Sequence, residues 1–287
     1  MEQHLTHPAT KHPIEPGIEF SAVPFHEVDC IVKSNEAING EYYLLILKAP
    51  PEVLDCRPGQ FFHLLCPAND RQTPYLRRPM SIYGCFPEKG ELQFLYKAIG
   101  DGTRAMSQLV PGDSFNVLGP LGSGFSIHDD WQNLLIVARG VGLATLAPLA
   151  QEALQKGRQL TAICSARSPE MLMSIDRFRT MGAEVITVTD SEGTSGVDNL
   201  EQLIEAQIDQ TGIDVFYTCG SNRLLKLLQQ LAAKHGITGQ IALEQQMACG
   251  IGMCQCCVRS LRRNGKIVHE RVCKEGPVFD LQEAMEW

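Results

Sequence analysis

The sequence lacks three features, and each absence argues against a class of protein. It has no excess of positive charge, since its formal net charge is −8, whereas nucleic-acid-binding surfaces are usually basic. It has no apolar run long enough to span a bilayer, because the run from Leu134 to Ala150 is too short and contains Arg139. Its first residues, MEQHLTHPATKHP, place no apolar run after a basic segment, so we expect no secretory signal. We therefore expect neither nucleic acid nor membrane as a partner.

The composition is that of a folded protein with about two domains. The chain has 287 residues, of which 44% are hydrophobic and 20% charged, and this mix excludes global disorder, collagen and a small disulfide scaffold. Eleven residues are cysteine, and five of them fall between Cys249 and Cys273. Thiols crowded into one segment indicate metal binding rather than disulfides and suit a cytoplasmic protein.

The hydrophobic pattern divides the chain into four segments. Residues 1–22 contain three histidines and little periodicity, which predicts a loose arm, with metal binding as the alternative. Residues 23–129 contain short runs rich in aromatic and branched residues, separated by turns: EYYLLILKAP, QFFHLLCP, SIYGCF and ELQFLYKA. This spacing predicts a small antiparallel barrel or sandwich, interrupted by one helix at about Gly102 to Leu109.

Residues 130–243 show a different hydrophobic pattern. Apolar runs of strand length, NLLIVA, QLTAIC, EVITVTD, DVFYTC and finally GQIAL, alternate with segments of helical length. The helices are predicted at Leu143–Lys156, Pro169–Met181, Val197–Ala206 and Asn222–His235. Such alternation predicts a parallel sheet with right-handed crossovers. The expected fold is therefore a multidomain α+β protein, with an antiparallel β-barrel, an α/β domain and a small C-terminal segment at 244–287.

The C-terminal segment carries the most specific motif. Cys249, Cys254, Cys257 and Cys273 have the spacing C-x4-C-x2-C…C, which is the plant-type [2Fe–2S] spacing. Glycines 250 and 252 allow the tight loop that such a cluster needs. Zinc sites usually pair two C-x2-C units or use histidines, so zinc fits less well, and plain buried thiols do not explain the crowding. Cys256 is predicted to be a free thiol beside the ligands.

Two further motifs suggest nucleotide cofactors. RRPMS, at residues 77–81, supplies a guanidinium that suits pyrophosphate and a hydroxyl that suits a flavin, although alone it is more typical of a solvated turn. Gly140-Val141-Gly142 follows a predicted strand and opens a helix, where phosphate binds well. Cys219-Gly220 ends a later strand at the same sheet edge, where ligands bind in parallel sheets. Arg139, just before the glycines, would either add a phosphate contact or disturb the loop.

Together these motifs resemble one family. The order PGQF, RRPMSI, GPLGSGF, a G-x-G turn, YTCG, LEQQMACGIGMCQCC and VCKEGPVFD resembles the electron-transfer subunits of two-subunit, NAD-linked dihydroorotate dehydrogenases, within the ferredoxin-reductase superfamily. The resemblance runs from about Phe25 to Asp280. It implies FAD on the barrel, held by Arg78, Pro79, Met80, Ser81, Leu95, Tyr96, Lys97, Gly102 and Thr103. It places NAD(H) over Gly140, Val141 and Gly142 and near Cys219 and Gly220.

The resemblance also implies a function in pyrimidine biosynthesis. Electrons would pass between NAD(H), FAD and a [2Fe–2S] cluster, to or from an FMN-bearing dihydroorotate dehydrogenase subunit in a heterotetramer. Because the cofactors carry this chemistry, we expect no general base, and we interpret His128 and His269 as surface residues. Two alternatives stay open: a related reductase serving a hydrogenase, sulfur reductase or oxygenase, and a non-enzymatic zinc or redox module.

Two details of the hypothesis concern the nucleotide and the partner. Asp190 ends EVITVTD, and a carboxylate beside the ribose would favour NADH, whereas Arg167 ends the preceding strand and would favour a 2′-phosphate. The resemblance favours NADH. Residues Val272 to Phe279 are predicted to hold the cluster edge against the partner, and the alternative is a loop folded back on the chain's own barrel.

Overall fold

The computed structural model describes residues 24–68 and 74–287. The predicted N-terminal arm, residues 1–22, lies outside the described residues. Among the described residues, no helix is long and apolar enough to cross a membrane.

The first half of the described chain forms one antiparallel, barrel-like sheet, as predicted. Its seven described strands are ordered β4-β3-β7-β1-β2-β6-β5. Their bounds are β1 His26–Ala37, β2 Tyr42–Lys48, β3 Phe61–Leu64, β4 Arg78–Ser81, β5 Gly84–Phe86, β6 Glu91–Lys97 and β7 Ser114–Leu121. Alternate residues face inward because successive side chains of a strand point to opposite faces: Leu45 lies opposite Phe94 and Leu47 opposite Leu92, and all four are fully buried.

The predicted helix within this sheet is shorter than expected. Helix α1 spans Asp101–Met106, whereas the pattern predicted Gly102 to Leu109. The side-chain amide of Asn35 on β1 donates hydrogen bonds to the carbonyls of Met106 and Leu109, at 2.9 and 3.2 Å. A side chain from another strand thus satisfies carbonyls that the end of a helix leaves free.

The second half forms the predicted α/β sheet. Parallel strands are ordered β10-β9-β8-β11-β12, with bounds β8 Asn133–Arg139, β9 Gln159–Ala166, β10 Glu184–Thr189, β11 Val215–Cys219 and β12 Thr238–Ala242. The helices between them are α2 Gly142–Gln155, α3 Ile175–Met181, α4 Val197–Thr211 and α5 Asn222–His235. Apolar residues of α2 and α3 pack in one core cluster, and those of α4 and α5 pack in another.

One predicted helix is wrong in its extent. The pattern predicted a continuous helix from Pro169 to Met181, but the structure has a short 3-10 turn at Pro169–Met171 and begins α3 only at Ile175. Leu172 is extended, and Ser174 adopts a left-handed φ of 65°. Met173 between them is buried in the core, so tertiary packing overrides the local helical pattern.

The C-terminal segment has no core of its own. A hairpin of β13 Val258–Arg263 and β14 Lys266–Arg271 follows the cysteine loop, and β15 Val278–Asp280 then pairs antiparallel with β12. Buried residues of the hairpin region share one hydrophobic cluster with β8, β11 and α5. The cysteine loop is therefore held against the α/β sheet rather than carried on a separate body.

Candidate functional site

A cavity of about 860 Å³ is lined by residues of the antiparallel sheet, the start of helix α2 and the C-terminal segment. Pockets for small ligands and cofactors generally measure about 300–1,000 Å³, so its size suits a cofactor. Nine residues predicted to bind cofactors line it: Arg78, Pro79, Met80, Ser81, Leu95, Tyr96, Lys97, Thr103 and Val141. The structure thus brings the RPMS and LYK motifs together with the turn that opens α2.

Arg78 provides positive charge on this cavity wall. Its guanidinium forms no ion pair with a described carboxylate and bonds instead to the carbonyl of Leu76. Gly102 does not line the cavity, but its lack of a side chain leaves room for Arg78. A β-carbon at Gly102 would lie 3.2 Å from the Arg78 guanidinium. The adjacent Arg77 differs, since it pairs with Glu27 and Asn116. Arg78 is therefore the arginine of this motif with charge to offer an anionic ligand.

The predicted nucleotide residues lie beside the cavity, where two neighbouring parallel strands end. Ala138 on β8 is in register with Cys219 on β11, so the glycine turn and Cys219-Gly220 share one edge of the sheet. A β-carbon on Gly142 would lie 3.0 Å from the Cys219 carbonyl, so a larger residue would have to push the two segments apart by a few tenths of an ångström. Gly140, Gly142, Cys219 and Gly220 do not line the cavity, but Val141, Ala144 and Thr145 do.

Glu244 is a cavity residue that sequence reasoning did not propose as a site residue. It follows β12 at the same edge of the sheet and lines the cavity. Its side chain is accessible to solvent, and partial desolvation by the protein atoms around its carboxyl group raises the pKa of that group. Burial, followed by the nearby charge of Glu244, also raises the pKa of the Cys219 thiol. The position of Glu244 after the carboxyl end of a parallel strand is the sequence feature that could have identified it as a site residue.

Arg139 and Asp190 bind each other rather than standing free. The guanidinium donates two hydrogen bonds to the carboxylate, at 3.0 and 2.5 Å, and another to Ser165 Oγ at 3.1 Å. Hydrogen bonds from Arg139 and Ser195 lower the pKa of Asp190 to about 2. Arg167, which we considered as the alternative determinant, pairs with Glu41 at 3.1 Å. The negative charge of Asp190 is therefore largely compensated.

The cysteine loop places the four predicted cluster thiols in two pairs. The backbone N–H of Cys254 donates to the sulfur of Cys249 at 3.4 Å, and that of Cys273 donates to the sulfur of Cys257 at 3.4 Å. The side chains within each pair also contact each other. Among the described residues, no three His, Cys, Asp or Glu side chains surround one point as a single metal ion would require. This pairing is compatible with a two-iron cluster, in which each iron takes two thiolates.

Backbone amides of the loop point at these sulfurs. Gly252 donates to Cys273 at 3.2 Å, and Met253 donates to Cys249 at 3.3 Å. Burial alone would raise the pKa of Cys249, but hydrogen bonds from Cys254, Ile251 and Met253 overcome it and lower the pKa to about 6. Burial, followed by the neighbouring Cys257, raises the pKa of Cys273 to about 12. Donors aimed at sulfur are what a negatively charged cluster needs, so the donor set fits the group.

The segment that follows the cysteine loop and hairpin packs against other parts of the chain. The segment from Val272 to Phe279 was predicted to hold the cluster edge against a partner. Instead, the carbonyl of Gly276 accepts a hydrogen bond from Ser123, and that of Pro277 accepts one from Leu243. These two hydrogen bonds anchor the segment to the chain itself and favour the alternative, while its contact with a partner stays a prediction. The cysteine loop is exposed at Met253, which is 78% exposed, and at Cys254 and Cys256, and within the following segment Lys274 is exposed as well.

Comparison with known proteins supports this combination of sites. Residues 244–284 match the family model of the iron-sulfur cluster binding domain of dihydroorotate dehydrogenase B. The electron transfer subunit of dihydroorotate dehydrogenase B (NAD(+)) from Desulforamulus reducens is 33% identical over 83% of this chain and 90% of its own length. The corresponding subunit from Caldanaerobacter subterraneus subsp. tengcongensis is 34% identical over 88% of this chain and 96% of its own length.

Solved structures show the same fold. A chain of the NADH-dependent reduced ferredoxin-NADP oxidoreductase, described in a study of flavin-based electron bifurcation, has a TM-score of 0.73 and 25% identity, covering 88% of each chain. A ferredoxin NADP+ reductase from Neisseria gonorrhoeae, solved with FAD and NADP, has a TM-score of 0.60 and 18% identity, covering 76% of this chain and 98% of its own. The second likeness concerns the fold alone.

Proposed function

Because the chain belongs to the family of dihydroorotate dehydrogenase B (NAD+) electron transfer subunits, we propose that it passes electrons between NAD(H) and an FMN-bearing catalytic subunit. The observation that carries this proposal is the placement of the cofactor cavity and the cysteine loop side by side: Met247 and Pro277, from the segments around the loop, line the cavity. Electron transfer needs such proximity.

FAD is the cofactor we assign to the cavity. When bound, it supplies the conversion between a two-electron hydride transfer and single-electron transfers. Arg78 would bind its phosphates through charge-assisted hydrogen bonds, Ser81 would donate to it, and the apolar side chains of Leu95 and Met80 would cover it. The charge of Arg78, which forms no ion pair within residues 24–68 and 74–287, and the cavity volume are the features of this structure that fit the group.

NADH is assigned to the edge where β8 and β11 end. The N-terminus of α2 offers backbone N–H groups and the positive end of the helix dipole to phosphate, and the close approach of Gly142 to Cys219 shapes the crevice. Val141 and Thr145 link this crevice to the cavity. The chain's own residues thus orient the nucleotide toward the flavin.

The cysteine loop is assigned one [2Fe–2S] cluster. Cys249 and Cys254 would hold one iron, and Cys257 and Cys273 the other, in line with the observed pairing. The backbone donors of Gly252 and Met253 would stabilise the sulfurs. Met253 lies beside the ligands and is exposed. We therefore assign the surface of this loop to contact with the catalytic subunit.

We place the protein in the cytoplasm. All eleven cysteines lie in the described part of the chain, and none forms a disulfide. This usage suits a reducing compartment.

The isolated chain gives a direct test. It should show flavin and iron–sulfur absorbance and should reduce an artificial electron acceptor with NADH, yet it should not oxidise dihydroorotate. A colourless protein that binds zinc would contradict the proposal and favour a non-enzymatic module.

A second candidate is a reductase of the same fold that serves another partner. The likeness to a chain of the NADH-dependent reduced ferredoxin-NADP oxidoreductase favours it. Purification of the chain from its native cells distinguishes the two, because the co-purifying subunit identifies the electron-transfer partner.

A further inference from the structure

His63 on β3 is a buried histidine that neither the motifs nor the assigned sites explain. Its exposed fraction is 0%. Both ring nitrogens, Nδ1 and Nε2, are buried and without a hydrogen-bond partner among the described residues. Buried polar groups in native proteins are nearly always satisfied, so an unpaired one calls for an explanation, such as a bound group.

The ring contacts both the cysteine loop and a residue that lines the cofactor cavity. A β-carbon on Gly250 would lie 2.6 Å from Nε2, 2.7 Å from Cε1 and 2.8 Å from Cδ2, so the Nε2 end of the ring abuts the loop. The ring also packs against Phe61, at 5.8 Å between ring centroids, and Phe61 lines the cavity.

The ring is also held in its neutral form. Burial, assisted by the charge of Arg77, lowers the pKa of His63 to about 4. A neutral imidazole carries one N–H donor and one acceptor nitrogen. Nε2 lies against the backbone of Gly250, and neither ring nitrogen has a hydrogen-bond partner among the described residues. Gly250 directly follows Cys249, the first of the assigned cluster ligands.

We propose that His63 donates a hydrogen bond from its ring to a sulfur atom of the bound cluster beside Gly250, and thereby raises the reduction potential of the cluster. A donor to sulfur favours the reduced cluster, because reduction adds negative charge to the sulfurs. The position next to Phe61 would let the same side chain fill the space between cluster and flavin. This inference rests on the proposed function, since it requires the cluster.

The test compares His63→Phe, which removes the donor but keeps a ring, with His63→Gln, which keeps an N–H donor. Reduction potentials of the cluster are measured by optical redox titration of the complex with its catalytic subunit. His63→Phe should change the oxidised-to-reduced ratio at a fixed potential about tenfold, which equals about 59 mV toward lower potential for one electron. The reduction potential of the cluster in His63→Gln should stay close to that of the unmodified protein. His269→Phe is the control, because His269 is exposed and bonds to Ser260.

A second measurement detects the histidine nitrogen directly. Histidine is labelled with nitrogen-15, and pulsed electron paramagnetic resonance of the reduced cluster then detects a histidine nitrogen close to sulfur. The labelled signal should be present and should vanish in His63→Gln. An unchanged potential in His63→Phe with a full cluster, or no histidine signal in the unmodified complex, overturns the inference and leaves the proposed function intact. A preparation with no iron–sulfur spectrum overturns both.

Discussion

The cysteine loop and the cofactor cavity are built in opposite ways. Three of the four assigned cluster ligands lie between Cys249 and Cys257, so chain spacing alone brings them together. The cavity draws its walls from segments as distant as Phe61 and Trp287, and only the packing of two sheets creates it. A local site can be recognised from a motif, whereas an assembled site requires the fold. The two sites should therefore respond differently to substitution.

The largest expected effect is loss of the cluster in Cys257→Ser. Cys257 is buried, and its sulfur accepts a hydrogen bond from the backbone N–H of Cys273, so another thiol could replace it only if the loop moved. Iron content and iron–sulfur absorbance should fall to background, while FAD and NADH-dependent dye reduction persist. Cys256→Ser is the matched control and should keep the cluster. If Cys256→Ser loses the cluster and Cys257→Ser keeps it, the ligand assignment is wrong.

The next effect concerns the cavity. Arg78→Ala removes a charge-assisted hydrogen bond to the FAD phosphates, which is worth about 1.5–3 kcal/mol, or about ten- to a hundredfold in affinity. Dialysis followed by flavin quantification measures the loss, and the cluster should remain. Arg104→Ala on α1 is the control, because that side chain is exposed and pairs with Asp101. Full FAD retention in Arg78→Ala would count against the assignment.

A smaller effect concerns the choice of nucleotide. We expect a preference for NADH over NADPH. Asp190→Asn weakens the hold on Arg139 and removes a negative charge, so the NADPH-to-NADH ratio of kcat/KM should rise about two- to fivefold, as expected for an exposed pair. Arg167→Ala should leave the ratio unchanged, because Arg167 pairs with Glu41. A clear NADPH preference in the unmodified protein, or a ratio governed by Arg167, would refute this assignment.

The smallest expected effect is a change in pH-dependent stability from Glu244→Gln. Burial raises the pKa of Glu244 above its ordinary value, so the folded state holds a proton that the unfolded state has lost between the two pKa values. Stability therefore falls as pH rises through that window, and glutamine removes this fall. Thermal unfolding of FAD-free protein between pH 4 and 8 should show a flatter profile for Glu244→Gln. A profile identical to that of the unmodified protein would contradict the prediction.

The sequence predicted the architecture more fully than the details of its elements. The parallel strands from NLLIVA to GQIAL and helix α5 were predicted at the observed places, because fully buried strands produce continuous apolar runs. The helix predicted from Pro169 to Met181 is broken at Ser174, since the burial of Met173 is a tertiary effect. The ends of β4, whose residues are only partly buried, leave no clear apolar pattern.

The candidate sites also divide into features that local sequence predicts and features that depend on tertiary packing. The cysteine spacing predicted the ligand set, which stays a prediction until it is tested, and the structure adds the pairing of the thiols. Glu244 and His63 carry no motif. Their significance depends on burial and on neighbours from distant segments, such as Gly250 beside His63. The binding of Arg139 to Asp190 also depends on the alignment of three strands.

The central claim is that this chain links NAD(H) to a dihydroorotate dehydrogenase catalytic subunit. The most direct measurement is dihydroorotate-dependent reduction of NAD+ by the catalytic subunit, with and without this chain. We predict activity only when both are present, with loss of that activity in Cys257→Ser. A catalytic subunit that gains no NAD-dependent activity from the fully loaded chain would contradict the account.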